Sequence, residues 1–153
     1  MEEFKMIRIA LILPLFVVMG CDMEIEHTPD VEYLNMPGMP EGLPFSSAVR
    51  AGNTLYLSGN IGNIPGTLDL KEGGIAGETR QTMDNISTVL QEFGSSMDEV
   101  VKCTVFLADM SEWGAMNEVY KTYFKNPPAR SALGASGLAL NSRVEIECIA
   151  VTR

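Results

Sequence analysis

The spacing of apolar positions changes several times along the chain, and each change marks an element. In "FSSAVRAGNTLYLSG", residues 45–59, two short β-rich runs flank Gly52-Asn53, a turn pair that predicts a hairpin. Gly62, Pro65, Gly66, Gly73 and Gly74 break up the next stretch, which predicts a loop. From Ile75 to Phe93 the period turns helical: Met83, Ile86, Leu90 and Phe93 fall on one stripe, and Gly94 suits a helix stop. "VVKCTVFLA" predicts a strand, apolar enough to expect burial on both faces. Asp109, with Glu112 three residues on, predicts a second helix start. Trp113, Met116, Tyr120 and Tyr123 form its apolar stripe, ended by Asn126-Pro127-Pro128. "RSALGAS" and "RVEIECIAV" read as two more strands, joined by "GLALNS".

The predicted order is therefore β-β-α-β-α-β-β, an α+β domain with a mixed sheet and both helices packed on one face. A sheet covered on one side should show polar residues on the other. Phe106, Ile149 and Val151 instead fall opposite their Val, Ile and Cys neighbours. Oligomerisation through the uncovered face is the simple expectation.

Upstream the pattern differs. Lys5 and Arg8 precede "IALILPLFVVMG", an apolar run too short to span a bilayer, and Cys21 follows. This is the layout of a secretory signal, and "VVMGC" resembles a bacterial lipobox, with Met19 departing from it. The expected division is a lipoprotein-type signal peptide at 1–20, a tether at 21–39 and a domain at 40–153. Cys21 would then be lipidated, anchoring an exported domain on the periplasmic side of the cell membrane. Asp22 resembles the inner-membrane retention signal of some bacteria. A plain secretory signal or a buried apolar arm would be the plainer readings.

With 153 residues and 46% hydrophobic content, the chain has enough for one cored domain and is not disordered. The net charge of −9, with no Lys/Arg cluster, argues against nucleic-acid binding. Cys103 and Cys148 fall inside predicted strands, where buried thiols packing as small hydrophobes is the plain reading. The single histidine, His27, lies in the tether, which excludes histidine-based catalysis, and nothing has metal-ligand spacing.

The candidate chemistry gathers near the carboxyl terminus. In "NPPARSALG", Arg130 follows two prolines at the start of a strand, so its backbone direction is set. A guanidinium held like this can grip a carboxylate through two parallel hydrogen bonds. Glu145 and Glu147 lie two apart and so share a strand face. Carboxylates among Val, Ile and Cys are costly to bury unless partnered. For Glu147 the reading is structural; for Glu145 a site role and a structural role stand level.

At this point the residues resemble a known family, RidA (reactive intermediate deaminase A). The pieces that carry the likeness are "PPARSA", "RVEIECIAV", "DEVVKCTVFLADM", "MNEVYKTYF", "LYLSGNIG" and "ETRQTMDNI", in order across about residues 40–153. The resemblance implies a chorismate-mutase-like (RidA) fold and a homotrimer with sites between subunits. It implies a 2-iminobutanoate/2-iminopropanoate deaminase-like hydrolase, converting reactive enamines and imines of the 2-aminoacrylate type to 2-oxo acids and ammonia. On this chain the family's carboxylate-binding arginine falls on Arg130 and its water-handling glutamate on Glu145. Ser58, Gly59 and Asn117 match further lining positions. Phe45, Asn60 and Ala132 depart, standing where many members have tyrosine, glutamine and cysteine. The grip is intact while the polar lining changes.

An iminium carbon is already electrophilic, so this chemistry requires no metal, cofactor or covalent nucleophile. The expected partner is a small carboxylate-bearing imine or enamine, with no nucleic acid, and membrane contact only through the lipid. The alternatives are a non-catalytic small-acid-binding or chaperone-like trimer of the same fold, and a related hydrolase for another small acid.

Overall fold

Residues 30–152 are described by the structure, a computed structural model. The signal-like segment, Cys21 and His27 lie outside the described residues. Nine main elements follow in chain order: β1 (Val31–Leu34), β2 (Ala48–Ala51), β3 (Thr54–Leu57), β4 (Asn60–Ile61), α1 (Gly74–Glu92), β5 (Val100–Leu107), α2 (Trp113–Tyr120), β6 (Ala129–Gly134) and β7 (Val144–Val151). The strands form one mixed sheet ordered β1-β2-β3-β7-β5-β6, with β4 also paired to β7. Only β5 and β6 run parallel; the other pairs are antiparallel. The α+β class and the mixed sheet stand as read from the sequence.

Two strands were not expected. Val31–Leu34, within the segment read as tether, pairs with β2, and Glu32 forms an ion pair with Arg50 at 2.6 Å. Asn60–Ile61, read as loop, pairs with Ile146 and Glu145 of β7. Neither stretch is long or periodic enough to announce itself; each is a strand because the sheet edge beside it supplies partners.

Helix α1 buries Met83, Ile86 and Leu90 completely, as the stripe predicts. Its end is a glycine-terminated cap: Gly94 takes φ 77°, its N–H donates to the Gln91 carbonyl, and Ser95 N–H donates to that of Leu90. These side chains meet Leu55, Val105, Leu107, Val144 and Ile146, all fully buried. Burying one such side chain contributes about 1.5–3 kcal/mol. The stripe of α2 is shorter than predicted: Met116 and Tyr120 are buried, while Trp113, at the helix start, is 43% exposed.

Burial of β5 on both faces is not observed within one chain. Cys103, Val105 and Leu107 face the helices; Lys102, Thr104 and Phe106 face away. On β7 the outward set is Glu145, Glu147, Ile149 and Val151. The uncovered face is thus mixed in polarity, with Tyr56 and Val151 among its exposed apolar residues.

The reading of Cys103 and Cys148 as free thiols is also corrected. They lie directly opposite on the central antiparallel pair, with Cα atoms 4.1 Å apart, and form a disulfide. Such closely spaced partners are the narrow pairs of an antiparallel ladder, where two Cβ atoms on one face come within bonding reach. Reducing this bond, which spans 45 residues of sequence, should lower the unfolding free energy by about 2–4 kcal/mol. Urea unfolding with and without a thiol reductant measures it; identical midpoints would mean the two sulfurs are not bonded.

Candidate functional site

Arg130 sits on β6, an edge strand, directly beside Cys103 of β5 in parallel register. Adjacent residues in register share a face, so Arg130 points to the helix side, as Cys103 does. There it donates through Nη1 to Asn117 Oδ1 at 2.6 Å. Its guanidinium carbon lies 4.7 Å from the centroid of the Tyr120 ring, a cation–π contact. Asn117 and Tyr120 are three apart on α2 and therefore on one helix face. Together these partners orient a side chain that would otherwise be free to rotate.

An open hollow of about 460 Å³ lies here, lined by Asn117, Tyr120, Lys121, Phe124, Pro127, Pro128 and Arg130. Burial pushes the Tyr120 hydroxyl up to about 12, with Arg130 opposing the shift, so the ring stays neutral beneath the guanidinium. The hollow thus offers one oriented cation against aromatic and proline walls. That combination suits a small organic acid with an apolar remainder.

Glu145 is placed otherwise. It pairs with Phe106 of β5 and Ile61 of β4 and points to the uncovered face. Its carboxylate covers the backbone of Gly59, where a Cβ would come within 2.9 Å of its Cδ. Burial, and secondarily the neighbouring Glu147 carboxylate, raises its pKa above the ordinary carboxylate value. The carboxyl holds its proton more tightly in the fold than in the unfolded chain. That contribution to stability is present at acid pH and is lost as pH rises through the raised pKa.

The other sequence candidates are placed separately. Asn117 belongs with Arg130. Gly59 belongs with Glu145, whose carboxylate covers it, while Asn60 pairs with the buried Ile146 of β7. Ser58 Oγ donates to the Ser46 carbonyl at 2.6 Å, and Asn60 Nδ2 to that of Ser58 at 2.8 Å. Phe45, next to Ser46, is 54% exposed. Ala132 packs against the core and does not line the hollow. Sequence reasoning missed Tyr120, Phe124 and the two prolines as site walls, although their spacing was on view. Among the described residues no group of three His, Cys, Asp or Glu side chains is placed to hold a metal ion.

Arg130 and Glu145 are therefore on opposite faces of the same sheet. One chain cannot bring both to one small molecule.

Comparison with known proteins agrees with this architecture. Residues 39–152 match the family described as Endoribonuclease L-PSP. A Mus musculus protein named 2-iminobutanoate/2-iminopropanoate deaminase is 45% identical over 109 residues, covering 71% of this chain and 81% of that protein. Among solved structures, a conserved Rid family protein from Yersinia pestis superposes with TM-score 0.74 at 36% identity, over 80% of this chain and 100% of the other. RidA from an Antarctic Psychrobacter gives TM-score 0.68 at 34% identity, over 81% and 98%. The chain belongs to this family, in which RidA proteins are found.

Gly59 gives a direct test of the Glu145 half. The nearest atoms to an added Cβ are all in the Glu145 side chain, which can move. Gly59→Ala should therefore melt within a few degrees of the parent while displacing the carboxylate, lowering turnover by about tenfold or more. Thermal melts and an imine-hydrolysis assay, run together, check it; full activity in a well-folded variant would remove Glu145 from the site.

Proposed function

We propose that the chain acts as a homotrimeric imine deaminase. It hydrolyses imines of small 2-oxo acids, including those arising from 2-aminoacrylate-type enamines, to the 2-oxo acid and ammonia. The observation that carries this reading is Arg130, held between Asn117 and the Tyr120 ring at an open hollow. Membership of the family, and the name and 45% identity of the mouse relative, support the same chemistry.

The parts have distinct roles. Arg130 receives the substrate carboxylate, which places the adjacent C2 in one pose. Water then adds to the C=N carbon, and the resulting carbinolamine expels ammonia as its hydroxyl becomes the carbonyl. Glu145 takes the proton from the attacking water and passes it to the carbinolamine nitrogen, which leaves as ammonia. Its raised proton affinity, from burial and from Glu147, favours that transfer. Because the two residues occupy opposite faces, Glu145 of one subunit meets Arg130 of its neighbour. A closed ring of three copies, as the resemblance implies, repeats that pairing three times.

The family description points instead to RNA cleavage. A net charge of −9 and two carboxylates on one strand face, Glu145 and Glu147, would repel a phosphate backbone. The binding-only trimer would keep Arg130 and lack turnover.

Mixing inactive variants tests the shared site. Arg130→Ala and Glu145→Gln should each reduce imine hydrolysis by about a hundredfold or more. Co-refolded in equal amounts, they should recover about one quarter of parent activity, since random assembly gives that fraction of sites both native residues. No recovery from mixed, fully assembled trimers would place both residues within one chain's site or outside catalysis.

We further propose that the protein is exported and anchored by lipid at Cys21, on the periplasmic side of the cell membrane. The signal-like layout ending in Cys21 supports this, and so does the Cys103–Cys148 disulfide, a bond at home in oxidising compartments. Among the described residues no helix is long and apolar enough to cross a membrane. Cells fed a radiolabelled fatty acid should label the parent and not Cys21→Ser; equal labelling of both would exclude the anchor.

A further inference from the structure

Two residues before Glu145, Arg143 occupies a junction that the proposed chemistry leaves unused. Its backbone N–H donates to Glu78 Oε2 at 2.8 Å, and its Nε lies 3.8 Å from Glu78 Oε1. Its guanidinium also forms an ion pair with Glu112, and its carbonyl accepts from Ala108 N–H at the end of β5, at 3.0 Å. Each partner leads to one half of the site. Glu112 is the residue before α2, which carries Asn117 and Tyr120 and so orients Arg130. Glu78 belongs to α1 and is only 6% exposed. Its backbone presses on Gly62, where a Cβ would lie 2.7 Å from the Glu78 Cα and carbonyl oxygen. Gly62 follows β4, and β4 with Gly59 forms the floor beneath Glu145.

A buried carboxylate is costly unless its oxygens are occupied, and Glu78 is occupied by the backbone and side chain of one residue. That bond fixes where β7 begins, hence where Glu145 sits. The Glu112 contact fixes the approach of α2 to the same point. The geometry points to Arg143 as a positioning residue: with Glu78 and Glu112 it sets the place of the Arg130 grip and of the Glu145 carboxylate within each chain. This rests on the imine-deaminase reading of those two residues. The Arg143 side chain is 49% exposed, and the close bond to buried Glu78 comes from its backbone N–H, which substitution keeps, so the effect belongs in kinetics more than in melting.

The test uses full-length chains carrying Glu112→Gln, Arg143→Met and Arg143→Lys, with 2-iminobutanoate generated in the assay as substrate. Glu112→Gln loosens only the α2 arm, so KM should rise about tenfold with kcat within about twofold of the parent. Arg143→Met loosens both arms and should raise KM and lower kcat, each by about tenfold, with Arg143→Lys recovering part of both. Amide hydrogen exchange gives a readout independent of turnover: α2 should exchange at least about tenfold faster in Arg143→Met, while the middle of α1 does not change. Parent-like constants in all three variants, or a loss of activity that merely tracks the loss of folded trimer, would overturn the inference. If the parent itself fails to hydrolyse imines, the functional reading falls. Exchange then decides alone, and unchanged α2 protection in Arg143→Met overturns the positioning role.

Discussion

Everything at this site depends on the two-residue alternation of a β-strand, fixed by the pairing of β5 with β7. Cys103, Val105 and Leu107 face the helices, so Arg130, beside Cys103 on β6, must face them too. Val144, Ile146 and Cys148 are likewise buried, so Glu145 must face the other way. The alternation is a steric property of extended backbone, and no side-chain rotation can override it across the thickness of a sheet. The proposed chemistry, with a cation on one side of a small acid and a carboxylate on the other, would therefore be divided between copies.

The two halves are prepared by different physics. Arg130 is oriented by an amide oxygen and an aromatic face on α2. Glu145 is given an altered proton affinity by partial burial and by a like charge two residues away. On the proposed reading one residue grips and the other exchanges protons, a division that calls for no nucleophile or ion. The scaffold's remaining task is relative placement, which explains why so many contacts around the site involve backbone: Gly59 under Glu145, Gly62 against α1, and the Arg143 N–H on Glu78.

Much of the fold was legible from spacing. The stripe of α1, the hairpin at Gly52-Asn53 and the strands at both ends of "VVKCTVFLA" to "RVEIECIAV" came from periodicity, because a buried face must repeat with its element. What was not legible depended on partners distant in sequence. Val31–Leu34 is a strand only because β2 offers an edge, and Asn60–Ile61 only because β7 does. The special character of Arg130 and Glu145 was visible as a charge in an unusual setting. Their separation across the sheet was not, since it requires the register of β5 against both neighbours. The roles of Glu78 and Arg143 were invisible for the same reason: 65 residues apart, they meet only in the folded chain.

The Cys103–Cys148 bond acquires a second meaning in this light. Sliding β7 by one residue against β5 would turn Cys148 outward, away from Cys103, and would swing Glu145 into the core. The sulfurs can therefore join only when the central strands are in the alignment that exposes Glu145. The bond and the outward placement of Glu145 thus rest on one and the same strand register.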